Sequence, residues 1–180
     1  MKDIFGVNTF QCFTLEQVKE INKLIKKNIF QKEESDKVAQ FSSKTGDFFH
    51  VPCPPLMELL YPWMYSCQNL NRNICRYDID WQFHLDSFNY NVYGEGGQYD
   101  WHIDANIEKT QFDMKLTCLL NLSEETYEGG EFMAINFDKK IEFTTGMGLV
   151  INSLIAHKVT PVTKGERITL TYWGVGPTWR

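Results

Sequence analysis

The stretch NVYGEGGQYDWHIDANIE sets His102 and Asp104 two residues apart, behind a glycine turn. In a strand, residues i and i+2 stand on the same side, so this spacing puts an imidazole beside a carboxylate. Such a pair is common and decides nothing alone. His157, in SLIAHKVTPVTKGER, opens a later strand, and a barrel folding back on itself would bring it opposite the pair. Two imidazole nitrogens and one carboxylate oxygen on one face of a cation leave its other positions open. That donor set suits non-haem Fe(II). Of the remaining histidines, His50 sits among apolar and proline residues in FFHVPCPP and reads as structural. His84, in WQFHLD, reads as a strand histidine with one hydrogen-bond partner.

An iron centre with open positions needs a reductant to activate O2, and an α-keto acid chelated there would provide one. The far carboxylate of such a molecule requires a buried cation. Arg167 begins RITLTYW, flanked by apolar and β-branched residues. A buried guanidinium is costly unless it meets an anion. A bound organic carboxylate and a protein Asp or Glu are both able to satisfy it, through charge-assisted hydrogen bonds of about 1.5–3 kcal/mol each.

These residues need elements to hold them. TLEQVKEINKLIKKNIF carries Leu15, Val18, Ile21, Leu24 and Ile25 at helical spacing, with Thr14 and Gln17 as a capping box and lysines near its end. A short extended piece is expected over 48–51. PPLMELLYPWMYSCQNLNRNIC then resumes a helix that Pro62 begins or kinks. From Trp81 the period changes to two. Aromatic-rich alternation in WQFHLDSFNYNVY is followed by strands expected over 99–104, 115–122, 131–134, 140–143, 149–152, 158–162 and 167–174. YGEGGQ, SEETYEGGE, FDKK, TTGMG and VTKGER punctuate them. Many short strands suggest a sandwich or barrel, with the helices covering one face of a single α+β domain.

Composition narrows the class. The 180 residues carry a net charge of -5, which lowers the expectation of nucleic-acid binding. The five cysteines show no C-x-x-C pair and read as free, mostly buried thiols of a reducing compartment. MKDIFGVNTFQCFTLEQ lacks the pattern of a signal peptide, and no apolar run approaches the ~20 residues of a membrane span. A cytoplasmic protein without membrane association is expected.

Taken together, YGEGGQYDWHID, YEGGEF and GMGLVINSLIAHKVTPVTKGERITLTYW resemble the Fe(II)- and 2-oxoglutarate-dependent oxygenases, most closely the prolyl-4-hydroxylase-like branch. The shared elements run in order: a tyrosine and glycine turn, H-x-D, a GGE turn, a G-x-L-V strand, H-x-V-x-P, a basic residue and a strand ending in Trp. They cover 93–173. The resemblance implies an α+β, mainly β fold with a double-stranded β-helix (jelly-roll) core buttressed by N-terminal helices. It implies one dioxygenase domain over 1–180, with helical support over about 1–80 and the core over about 81–176. His102, Asp104 and His157 would bind Fe(II), and Arg167 would bind the distal carboxylate of 2-oxoglutarate. Tyr93 and Thr171 would hydrogen-bond that cosubstrate, and Trp173 would line the pocket. Tyr99 and Trp101 are expected beside the substrate, and 76–90 is expected to form a lid over the cleft.

The implied reaction hydroxylates an unactivated C–H at the expense of O2 and 2-oxoglutarate, releasing succinate and CO2, with ascorbate as an auxiliary reductant. The branch points to a prolyl residue in a peptide or protein. Arg167 stands where collagen-type members usually have Lys, so another amino acid or a small molecule stays open as substrate. Nucleic-acid demethylases of the superfamily carry R-x-N-x-T-x-R. Here Thr169 and Trp173 replace the Asn and the second Arg, which argues against that chemistry. A catalytically silent jelly roll is opposed by the complete set of ligands and Arg167. The oligomeric state is not legible.

Overall fold

The structure, a computed structural model, describes residues 6–29, 31–32, 43–79, 87–105, 112–137 and 141–179. In chain order the elements are β1 (Asn8–Gln11), α1 (Leu15–Asn28), β2 (Gln31–Lys32), β3 (Lys44–Thr45), β4 (Asp47–Pro52), α2 (Met57–Leu70) and β5 (Ser87–Tyr93). Then come β6 (Gln98–His102), β7 (Phe112–Asn121), β8 (Glu128–Gly129), β9 (Phe132–Ala134), β10 (Met147–Asn152), β11 (His157–Val159), β12 (Val162–Lys164) and β13 (Arg167–Pro177).

The first helix forms where its signals place it. Thr14 and Gln17 make a reciprocal capping box, and Val18, Ile21 and Ile25 are buried. Pro62 lies inside α2, which a 3₁₀ turn over Pro54–Leu56 leads into. Lacking an N–H, Pro62 leaves a helical bond unmade, yet Leu60, Trp63, Met64 and Cys67 bury the helix against the sheet. Packing outweighs the local penalty.

An antiparallel seven-stranded sheet, in the order β1-β10-β7-β13-β5-β4-β2, faces a four-stranded one, β3-β6-β11-β9, and together they form a jelly roll. A third pair, β12-β8, closes one corner. Alternation along the central strands divides the labour. Leu116, Cys118, Leu120 and Leu122, with Ile168, Leu170 and Tyr172, pack under the helices in the main hydrophobic core. Each such side chain contributes roughly 1.5–3 kcal/mol by leaving water. Their neighbours Thr117, Leu119, Arg167, Thr169, Thr171 and Trp173 line a cavity between the sheets. A second core, with Leu149, Ile151, Phe132 and Phe143, fills one end of the barrel.

Two expectations need correction. The strand over 140–143 does not form: Ile141, Glu142 and Phe143 are irregular, because the Phe143 carbonyl accepts from the Asn121 side chain (2.7 Å) instead of entering a ladder. Lys140 lies outside the described residues. The strand over 158–162 is two, β11 and β12, separated at Pro161, which has no N–H for a ladder. The middle of the lid expected over 76–90 lies outside the described residues, and only its two flanks are seen. Asn71 brackets Tyr77, accepting from its N–H (3.0 Å) and donating to its carbonyl (2.9 Å). At the other end, 87–90 pair with β4, and Asn89 and Tyr90 pair with β13 as well. Residues 80–86, including His84, lie outside the described residues.

Candidate active site

His102 ends β6 and His157 begins β11, and the two are register partners. Asp104 lies two residues beyond His102, past the strand end, so strand alternation is not what aligns it. The backbone does: the N–H groups of Asp104 and Ala105 both donate to the Ser153 carbonyl (3.0 Å each). The carboxylate then faces both imidazoles, with His102 Nε2 3.5 Å from Oδ1 and His157 Nε2 3.6 Å from Oδ2. One donor atom from each residue falls within 4.8 Å of the others.

The ring orientations are fixed from behind. His102 Nδ1 lies 2.7 Å from the Asp100 carbonyl and His157 Nδ1 2.9 Å from the Ile155 carbonyl. A carbonyl only accepts, so each Nδ1 carries a proton, and Nε2 is the ring atom each histidine turns toward the carboxylate. Burial, with His157 alongside, lowers the His102 pKa to about 4. Burial alone would raise the Asp104 pKa, but His157, His102 and the Thr117 and Trp173 donors hold it below the ordinary value. Two imidazole Nε2 atoms and one carboxylate thus converge on a single point, and this two-nitrogen, one-oxygen donor set fits a non-haem Fe(II).

On the opposite wall Arg167 begins β13 and is only 1% exposed. Its Nε and Nη2 have no hydrogen-bond partner among the described residues. The guanidinium carbon stands 5.3 Å from the Tyr93 ring centroid and 5.8 Å from that of Phe143. Gly130, at φ +58°, lies against its stem: a Cβ there would come within 2.9 Å of Arg167 Cδ and 3.0 Å of Val162. The GGE turn therefore both needs a left-handed backbone and leaves room for the arginine. A buried cation with donors left over in this way calls for an anionic partner, and a carboxylate has the geometry to meet it. Thr171 lines the same cavity and accepts from Asn91 Nδ2 (2.9 Å), with Tyr93 two residues further along β5.

The aromatic residues before His102 separate. Pairing shifts from His102↔His157 to Tyr99↔Val159, which leaves one extra residue in β6. This bulge turns Tyr99 onto the His102 side, where the two rings stack at 3.5 Å. Trp101 faces out instead, 41% exposed, with Lys158 Nζ 5.0 Å from its ring centroid. Of the two, only Tyr99 lines the cavity. Trp173 lines it as well, and its Nε1 donates to Asp104 Oδ2 (3.1 Å).

Sequence reasoning missed Thr117, whose hydroxyl donates to the same oxygen at 2.6 Å, and also Asn91, Thr169 and Lys44 in the cavity wall. Polar residues alternating with Leu and Cys along KLTCLLN were the available signal for Thr117.

With this geometry in view, comparison with known proteins is informative. Residues 88–174 match the sequence profile of the 2OG-Fe(II) oxygenase superfamily. A PKHD-type hydroxylase of Alteromonas mediterranea is 38% identical over 93 residues, 47% of this chain and 41% of that protein. This chain thus spans less than half the length of that relative. The viral collagen prolyl hydroxylase of Paramecium bursaria Chlorella virus-1, solved as a 2OG complex, superposes with a TM-score of 0.69 at 17% identity, covering 94% of both chains. A Pseudomonas putida prolyl-4-hydroxylase gives 0.69 at 16% identity, covering 98% of this chain and 94% of that one. At such identities the likeness establishes the fold.

Proposed function

With residues 88–174 belonging to the 2OG-Fe(II) oxygenase superfamily, we propose that this chain is one dioxygenase domain hydroxylating a prolyl residue of a peptide or protein. The observation that carries this reading is Arg167: a buried guanidinium with two nitrogens unsatisfied among the described residues, in the same cavity of about 50 Å³ as His102, Asp104 and His157. A metal site alone would serve many chemistries. A metal site facing a buried carboxylate receptor favours a keto acid as cosubstrate.

His102, Asp104 and His157 would hold Fe(II), and Arg167 the distal carboxylate of 2-oxoglutarate. When bound, that pair and O2 supply the oxidation, converting the keto acid to succinate and CO2 as one oxygen atom enters a C–H bond. The chain's own residues orient and exclude. The Asp100 and Ile155 carbonyls hold a proton on each Nδ1 and so turn each Nε2 toward the metal position. Tyr93 and Phe143 shield the guanidinium from water, which strengthens its hold on a carboxylate. Thr171, tied to Asn91, offers its hydroxyl to the cosubstrate. Tyr99, stacked on His102, limits the room beside the metal for substrate. The names of the relatives support the prolyl assignment. The free cysteines support a reducing, cytoplasmic setting, and no helix among the described residues is long and apolar enough to cross a membrane.

The test is anaerobic loading with Fe(II) and labelled 2-oxoglutarate, admission of O2 with ascorbate present, and measurement of succinate with and without proline-containing peptides. Peptide-stimulated turnover that disappears in His102→Ala and Arg167→Ala is expected. Turnover indifferent to every peptide would remove the prolyl assignment while leaving the oxygenase.

A further inference from the structure

We propose that Thr117 is a positioning residue that makes Asp104 offer a single oxygen, Oδ1, to the metal, with Ser153 as the next member of its relay. This rests on the metal-centre reading above. Thr117 Oγ1 donates to Asp104 Oδ2 at 2.6 Å, and Ser153 Oγ lies 3.0 Å from Thr117 Oγ1. A threonine hydroxyl has one proton and a carboxylate only accepts. The direction is therefore fixed: Ser153 donates to Thr117, and Thr117 donates to Asp104. Both hydroxyl residues are buried, Thr117 at 1% and Ser153 at 0% exposed, so water does not substitute for either.

Trp173 Nε1 donates to the same Oδ2 at 3.1 Å, while Oδ1 accepts no hydrogen bond among the described residues. The two oxygens are thus unequal before any metal arrives. One is held by two donors, and the other keeps its lone pairs for coordination. Ser153 acts twice, since its carbonyl also fixes the backbone of Asp104 and Ala105. Residues from β7, β13 and the turn after β10 therefore set the rotation of a carboxylate that follows β6. A carboxylate coordinating through one oxygen takes one position on the metal instead of two, which keeps the others open for cosubstrate and O2.

The experiment is Mn(II) titration of the metal-free protein, followed by the electron paramagnetic resonance signal of free Mn(II), with thermal unfolding recorded for each variant. Thr117→Val is expected to weaken binding by about 10-fold or more, with Trp173→Phe adding to the loss, in the range of about 10–100-fold seen when partners of metal ligands are removed. Thr117→Ser keeps the hydroxyl and is expected to restore near wild-type affinity, which a role in packing alone would not produce. Ser153→Ala keeps the backbone contacts and is expected to fall between; it carries the test if Thr117→Val does not fold. Unchanged Mn(II) affinity in folded Thr117→Val or, in its place, Ser153→Ala overturns the inference. Unchanged affinity in His102→Ala would instead overturn the metal centre on which it rests.

Discussion

The seven-stranded sheet meets the cavity with long strands in regular register, whereas the four-stranded sheet meets it with short strands and a bulge. β13 runs unbroken against β5 from Arg167 to Thr171 and delivers Arg167, Thr169 and Thr171 to the cavity at every second residue. β6 and β11 are paired through two registers only, with a shift between them, and Asp104 is past the strand altogether. The two tasks proposed for these walls differ in kind. Gripping a carboxylate at depth needs a rigid wall with one well-placed cation, and regular alternation supplies it. Converging three donors on a point needs side chains arriving from different directions, which an unbroken ladder does not provide and a bulge with a strand end does.

Substitutions can break this contrast. The largest effect is expected on the irregular side: Asp104→Ala or His102→Ala should abolish succinate formation and metal binding together, as seen by Mn(II) titration. On the regular side Arg167→Ala should leave metal binding intact and raise the 2-oxoglutarate KM by about 100-fold or more, the loss of two charge-assisted hydrogen bonds. Arg167→Lys should recover part of that. Metal affinity falling with Arg167→Ala would show that the two walls are not separable.

Stability should divide the same way. Leu116→Ala, in the core of the large sheet, should cost about 2–5 kcal/mol in urea unfolding. Met133→Ala, 39% exposed on the small sheet, should change it by no more than about 0.5 kcal/mol. A further effect is one of pH on the metal-free protein. With the His102 pKa lowered from 6.5 to about 4, the unfolded chain takes up the proton first as pH falls. Stability is therefore complete above pH 6.5 and declines until about pH 4. His102→Gln should flatten the dependence of melting temperature over that interval.

The legible part of the site was the part written in local sequence. His102, Asp104, His157 and Arg167 announce themselves by type and spacing, and each lines the one cavity. Thr117 did not, because its contacts with Asp104 and Ser153 come from β7 lying against β10 and β13, a matter of register between distant segments. Tyr99 and Trp101 appeared to share a face because alternation was assumed to be unbroken, and one extra residue in β6 undid it. For the fold, α1 was legible from its cap and its apolar spacing. Residues 141–143 misled because their alternation serves burial of Phe143 and a side-chain bond from Asn121 without a neighbouring strand.

The position of β13 has a consequence in time. It is the last of these strands to be synthesised, yet it lies at the centre of the large sheet, joining β1-β10-β7 on one side to β5-β4-β2 on the other. Before it emerges from the ribosome, the two halves of that sheet share no ladder. The barrel must therefore stay ajar during most of its own synthesis, its strand edges open to other chains, and can shut only when Arg167 arrives. The residue read here as the cosubstrate's anchor sits on the strand whose arrival completes the sheet, so the cradle and the closed barrel come into being in the same event.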